Sequence, residues 1–94
     1  MVYFITYNLK KPSRFYNDFI TSLKSFGTWW HQTDSTWLIV TSKSTSEVRD
    51  YLKQFIDSND QLFVSQLQRN WAATGFTKEE YNWLKTIPDT LWNR

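Results

Sequence analysis

Residues 27–40 read GTWWHQTDSTWLIV, and the fold is predicted outward from this stretch. Two runs rich in β-branched and aromatic residues, 28–32 and 36–41, flank residues 33–35, whose side chains favour turns. The pattern predicts a β-hairpin rather than a long loop. Gly27 stands just before it, where a helix commonly ends on a left-handed residue.

A strand and a helix are predicted before the hairpin. Residues 2–7, VYFITY, are almost wholly β-branched and aromatic, which is typical of a buried strand. Ser13 is in position to cap the helix that follows the polar break at residues 8–12. The apolar residues of this helix recur at the spacing of one helical face: Phe15, Phe19, Leu23 and Phe26.

A second helix and strand are predicted after the hairpin. Residues 44–47, STSE, form a capping-box pattern, and Val48, Leu52 and Phe55 follow at helical spacing. Residues 57–60, DSND, are expected to end the helix and to form a solvated turn rather than a cation site. Residues 61–67, QLFVSQL, are expected to form the fourth strand.

The resulting order, β-α-β-β-α-β, predicts an α+β protein of the ferredoxin-like class. Right-handed crossovers would place the first and third strands at the centre of a four-stranded antiparallel sheet, with both helices on one face. Residues 1–76 would form this domain. Residues 77–94 would form a helical extension packed on it, because Thr77 and Glu80 make a second capping box and Pro88 ends the helix.

The composition limits the chemistry that the chain can perform. Its 94 residues suffice for one small domain, and 19% of them are aromatic, including six tryptophans. The chain has no cysteine and one histidine, so disulfides, thiol nucleophiles and cysteine-bound zinc are excluded. We expect no metal and no cofactor. Without a long apolar run or a signal peptide, we also expect a cytoplasmic protein with no membrane partner.

The sheet predicted here is apolar on both faces, although two helices cover only one. In the first strand Tyr3 and Ile5 alternate with Val2 and Phe4, and both sets are apolar enough to be buried. Three coverings for the second face are consistent with the sequence: a second copy of the chain, the C-terminal segment, or a stacked ligand. The excess of aromatic rings favours a homodimer.

Three segments resemble the SinR-like family of small bacterial and phage proteins: ITYNLKKP at residues 5–12, WWHQTDSTWLIVTS at 29–42, and SND at 58–60. That family is similar in turn to the small second subunit of the CRISPR adaptation complex. The resemblance covers about residues 1–76 and implies a ferredoxin-like homodimer. The adaptation subunit carries an aspartate at the end of its first strand, which is associated with metal-dependent nuclease activity in some members. The matching position here is Asn8, whose amide lacks the charge that holds Mg²⁺.

The candidate ligand-binding residues fall into a polar set and an aromatic set. The polar set follows the first strand and begins the first helix: Asn8, Lys10, Lys11 and Arg14. Cations near a helix start favour anions, and exposed rings stack on bases. The aromatic set lies in the hairpin: Trp29, Trp30, His31 and Trp37. Adjacent Trp29 and Trp30 must face opposite sides of the sheet, and we favour a structural role for His31 over a catalytic one.

These features favour a non-enzymatic binding protein. It would hold a nucleotide-like or nucleic-acid ligand through aromatic stacking and basic residues, and could act by sequestering it. Two alternatives remain open. One is a metal-dependent endoribonuclease of the CRISPR-adaptation type, and the other is a domain that binds only proteins.

Overall fold

The computed structural model describes residues 1–11 and 16–92. Its elements follow the predicted order: β1 (Val2–Asn8), α1 (Asn17–Lys24), β2 (Thr28–Thr33), β3 (Thr36–Val40), α2 (Thr45–Lys53), β4 (Gln61–Leu67), α3 (Lys78–Thr86) and α4 (Asp89–Trp92). The predicted helix cap Ser13 lies outside the described residues, as do Phe15 and the candidate binding residue Arg14. No helix in the described part combines the length and the apolar character that crossing a membrane requires.

The four strands form one open antiparallel sheet in the order β2-β3-β1-β4. Strands β1 and β3 therefore lie at the centre, as predicted, and β2 and β4 form the two edges. The β2–β3 hairpin is also present, with an irregular register between Trp30 and Thr33. Gly27 precedes it with a φ of 87°, a conformation that other residues adopt only with strain. The chain is an α+β protein with a four-stranded antiparallel sheet.

Helices α1 and α2 cover one face of the sheet, which we call the helix face. They supply Phe19 and Leu23 from α1, and Val48 and Leu52 from α2, all fully buried. The side chains of the sheet that complete this core are Tyr3, Ile5, Trp37 and Ile39. Helix α2 begins with the predicted capping box, in which the Ser44 side chain accepts from Glu47 N–H and Glu47 accepts from Ser44 N–H.

The C-terminal segment covers part of the opposite face, which we call the second face. Its residues Leu84, Ile87 and Trp92 pack in one buried cluster with sheet residues Val2, Trp30 and Leu38. The indole N–H of Trp30 donates to the Glu80 carbonyl oxygen at 3.0 Å, and its ring lies 5.1 Å from that of Phe76. Of the three coverings that the sequence left open, the structure therefore shows the C-terminal segment. The homodimer stays a prediction.

The helices differ from the sequence prediction in two ways. Helix α3 begins at the predicted Thr77–Glu80 capping box and ends at Thr86, just before Pro88 as expected, but an unpredicted short helix, α4, starts immediately after Pro88. Proline ends the preceding helix because it has no N–H and restricts the residue before it, whereas its fixed φ suits the start of the next helix, where Leu91 N–H donates to the Pro88 carbonyl. Helix α2 ends at Lys53 with Gln54 as its C-cap, before the acidic turn that was expected to end it.

Candidate ligand site at the end of strand β1

Two shallow clefts meet at the carboxyl end of β1 and share Tyr7 and Asn8. The first, which we call the polar cleft, has a volume of about 410 Å³ and is lined by Tyr7, Asn8, Leu9, Lys11, Tyr16 and Ser35. The second, which we call the Phe63 cleft, has a volume of about 370 Å³ and is lined by Thr6, Tyr7, Asn8, Gln61, Leu62 and Phe63. Both volumes are within the range of small-molecule sites.

Asp60 ties the loop after β1 to the loop before β4. Its Oδ1 accepts from Lys10 N–H at 2.8 Å and from the Tyr16 hydroxyl at 2.9 Å, while its Oδ2 accepts from Asp57 N–H at 2.8 Å. Desolvation opposes the charged carboxylate, but these hydrogen bonds outweigh it and hold the pKa of Asp60 below its ordinary value. Asp60 therefore positions the backbone of the polar cleft.

Lys11 is the cation that lines the polar cleft, and it is already paired. Its Nζ lies 2.6 Å from Asp57 Oδ2, and both side chains are exposed. The hydrogen bond with Asp57 raises the pKa of Lys11. Because an exposed ion pair is worth little in water, an incoming anion can compete for this ammonium group. The neighbouring Lys10 is exposed and forms no ion pair with any described residue.

Tyr7 contributes a neutral hydroxyl to the polar cleft. Its oxygen accepts from the Trp37 indole N–H at 3.0 Å, which leaves the hydroxyl proton available to another acceptor. Burial raises the pKa of Tyr7, the bond from Trp37 lowers it, and the charge of Asp34 raises it further; the net shift is upward. The side chain therefore stays protonated near neutral pH.

Three of the predicted aromatic residues form a row on the helix face. His31 stacks on Trp37 with a centroid separation of 4.0 Å, and Trp29 lies 5.2 Å from Trp37 on its other side. Trp37 is only 1% exposed, whereas Trp29 is 37% exposed with Lys24 Nζ 5.5 Å from its ring centroid. His31 Nε2 lies 3.2 Å from the Asp34 carbonyl oxygen. These contacts give His31 a packing role.

The structure brings only part of the predicted set together. Asn8 and Lys11 share the polar cleft, and Lys10 lies in the same loop. Trp30 is on the second face, 7% exposed beneath α3, opposite to its neighbour Trp29 as strand alternation requires. Neither tryptophan lines the two clefts.

Phe63 and Gln61 were absent from the predicted set. Phe63 is 61% exposed and pairs in register with Thr6 of β1, while Gln61 pairs with Asn8. The alternation of side chains along β4 could have identified Phe63 from the sequence. Leu62 and Val64 pack toward the helices, so Phe63 lies on the opposite face, between polar Gln61 and Ser65. Phe63 therefore leaves an aromatic ring exposed between two polar neighbours.

Asn8 stands where the family resemblance implies a metal-binding aspartate. Its Nδ2 donates to Gln61 Oε1 at 3.2 Å, so the two amides form one polar edge of the Phe63 cleft. Within residues 1–11 and 16–92, no three histidine, aspartate or glutamate side chains are grouped so that they could hold a metal ion. No protein-family model matches the chain and no solved structure is significantly similar to it, so the resemblance to the SinR-like family stays a prediction.

Proposed function

We propose that this chain is a non-enzymatic binding protein of ferredoxin-like fold that holds a nucleotide-like ligand at the end of β1. The strand order supports the fold, because each unit, β1-α1-β2 and β3-α2-β4, has one antiparallel strand between its two strands. We also propose that the chain is related to the SinR-like family, which its sequence resembles. The adjoining pair of clefts supports the ligand class.

The base of the ligand would occupy the Phe63 cleft. A ring that is 61% exposed offers a stacking surface, and stacking on an aromatic side chain is worth about 1–3 kcal/mol per base. The amides of Asn8 and Gln61 lie at the same cleft and carry both donors and acceptors. They can therefore hydrogen-bond the edge of a base that is stacked on Phe63.

The anionic part of the ligand would occupy the polar cleft. Tyr7 and Ser35 bring hydroxyl groups there, and the Lys11 ammonium can exchange Asp57 for a phosphate oxygen. The observation that carries the proposal is that an aromatic cleft and a cationic cleft share Tyr7 and Asn8. The Tyr7 side chain lies on the helix face and Phe63 on the opposite one, so a ligand that occupies both clefts would pass around the end of β1, with its flat ring on one face of the sheet and its anion on the other.

Calorimetric titration with linear and cyclic nucleotides and short single-stranded RNA tests the proposal. Phe63→Ala should weaken binding about tenfold or more, while Phe63→Trp should retain it because stacking is preserved. Lys11→Ala should also weaken binding, whereas the matched control Lys85→Ala, on exposed α3 surface, should not.

Three outcomes would contradict the proposal. Failure of every nucleotide to bind would favour the domain that binds only proteins. Equal binding by wild-type protein and Phe63→Ala would remove the Phe63 cleft as the site. Cleavage of labelled RNA that requires Mg²⁺ and stops on chelation would favour the endoribonuclease.

A further inference from the structure

Trp37 and Tyr7 connect the buried aromatic row of the helix face to the polar cleft. Trp37 of β3 pairs in register with Ile5 of β1, and Tyr7 lies two residues further along β1, so Trp37 and Tyr7 are diagonal neighbours on the same face. The Trp37 indole N–H donates to the Tyr7 hydroxyl oxygen at 3.0 Å. Tyr7 lines both clefts, whereas Trp37 is 1% exposed and lines neither. A change at the Tyr7 hydroxyl therefore affects a residue that a ligand in the clefts would not contact.

Packing fixes the two rings that form this hydrogen bond. The Trp37 indole is held between His31, whose ring centroid is 4.0 Å away, and Trp29, whose centroid is 5.2 Å away. The Tyr7 ring meets the Phe19 ring edge-on, with a centroid separation of 5.0 Å and an interplanar angle of 88°. Neither ring can turn without disturbing these neighbours, so the indole N–H stays directed at the Tyr7 oxygen.

The bond from Trp37 leaves the Tyr7 hydroxyl as a hydrogen-bond donor. A phenol hydroxyl has one proton to donate, and its oxygen here already accepts from the indole, so the proton points away from Trp37. Within residues 1–11 and 16–92, no group accepts this proton. Burial first, and the charge of Asp34 in addition, raise the pKa of Tyr7, so the proton is retained near neutral pH.

The other side chains of the polar cleft also present donors. Ser35 brings a second hydroxyl and Lys11 an ammonium group. Among the described residues, no carboxylate lines this cleft: Asp57 and Asp60 contact its lining residues Lys11 and Tyr16 but do not line it themselves. A group with several acceptor oxygens, as phosphate has, can use these donors together.

We propose that Trp37 is a positioning residue, which holds the Tyr7 hydroxyl so that its proton is donated to a phosphate oxygen of the ligand. This inference rests on the proposed function and deepens it, because it names the group that the polar cleft recognises. Neighbouring hydrogen bonds polarise one another, so donation to a charged oxygen makes the Tyr7 oxygen a stronger acceptor for the indole N–H. The environment of the Trp37 indole proton should therefore change when phosphate binds.

An NMR titration of the full isotope-labelled chain tests this inference. The probes are inorganic phosphate and adenosine monophosphate, with adenosine and sodium chloride as controls. Both phosphate probes should move the indole N–H signal of Trp37 downfield, and the two controls should not. The indole N–H of Trp30 is an internal reference, because it also donates at 3.0 Å, to the Glu80 carbonyl on the second face, and its signal should stay in place.

Substitutions test the roles of the two residues. Tyr7→Phe should abolish the shift of the Trp37 signal and weaken phosphate binding about tenfold or more. Trp37→Phe keeps an aromatic ring without the N–H, so it should also weaken binding, and the double variant should bind no worse than Tyr7→Phe alone. The matched control, Tyr51→Phe, removes a hydroxyl that pairs with Ser25 outside both clefts and should bind like the wild type.

The possible failures separate this inference from the proposed function. Phosphate binding that leaves the Trp37 signal unchanged would overturn the inference alone, and this measurement needs no variant. Wild-type affinity in Tyr7→Phe or Trp37→Phe would also overturn it, as would an equal shift of the Trp37 signal with adenosine or sodium chloride. If neither phosphate nor adenosine monophosphate moves any signal from the clefts, the inference and the proposed function both fail.

Discussion

Replacing Leu84 by alanine tests whether the C-terminal segment belongs to the folded domain. Leu84 lies on α3, is 4% exposed, and packs in the cluster that includes Val2, Trp30 and Leu38. Truncation removes buried methyl groups and leaves a cavity, which costs about 2–5 kcal/mol in well-packed sites. Alanine is the best helix former, so the loss cannot come from helix propensity. Small domains are stable by only about 5–15 kcal/mol, so we expect a large fall in the free energy of unfolding.

Equilibrium urea unfolding provides the assay, followed by tryptophan fluorescence and by far-UV circular dichroism. The two signals should change together, because Trp30 links α3 to the sheet through its hydrogen bond to Glu80. The exposed neighbour Lys85→Ala is the matched control and should change stability by no more than about 0.5 kcal/mol. The reasoning is refuted if Leu84→Ala unfolds at the same urea concentration as the control. It is also refuted if fluorescence changes first and leaves the circular dichroism of the sheet intact.

Two further predictions concern the loops and the start of α3. Asp60→Asn should lower the free energy of unfolding at neutral pH, and the difference from wild type should shrink as pH falls below 3.8, the ordinary carboxyl pKa. The pKa of Asp60 is lowered in the folded state, so its stabilising effect is present above the unfolded-state pKa and is lost as pH falls through the folded-state pKa. Urea unfolding of both proteins across this pH range measures the difference. A difference that does not change with pH would contradict the prediction. Thr77→Ala should cost about 0.5–2 kcal/mol by removing the hydroxyl that accepts from Glu80 N–H. Thermal unfolding would measure that loss, and an unchanged melting temperature would show that the cap is not used.

The features that the sequence predicts well are those determined by nearby residues. Ser44 with Glu47, and Thr77 with Glu80, form capping boxes whose partners are three residues apart. Gly27 ends its helix region with the left-handed φ that its position indicated. Each of these signals depends on a few neighbouring residues, so it is readable before the fold is known.

The features that the sequence does not predict depend on partners far apart in the chain. Asp60 joins Lys10 across 50 residues and Tyr16 across 44, and only the pairing of β1 with β4 brings those loops together. From composition alone the acidic turn was interpreted as a helix end. Its second role, in shaping the polar cleft, required the tertiary structure.

The tryptophans show why abundance of a residue type does not by itself locate a binding surface. A large ring is both a good core residue and a good stacking surface, so its function depends on what covers it. The C-terminal segment covers Trp30, while Trp29 and His31 flank Trp37, and a ligand could reach Trp30 or Trp37 only if those neighbours moved. Phe63 is less conspicuous in the sequence, but its β1 partner is Thr6 and its two neighbours on the same face of β4, Gln61 and Ser65, are polar. The alternation of side chains along a strand therefore locates the exposed ring better than aromatic content does. It places the proposed base-stacking residue on β4 rather than in the hairpin.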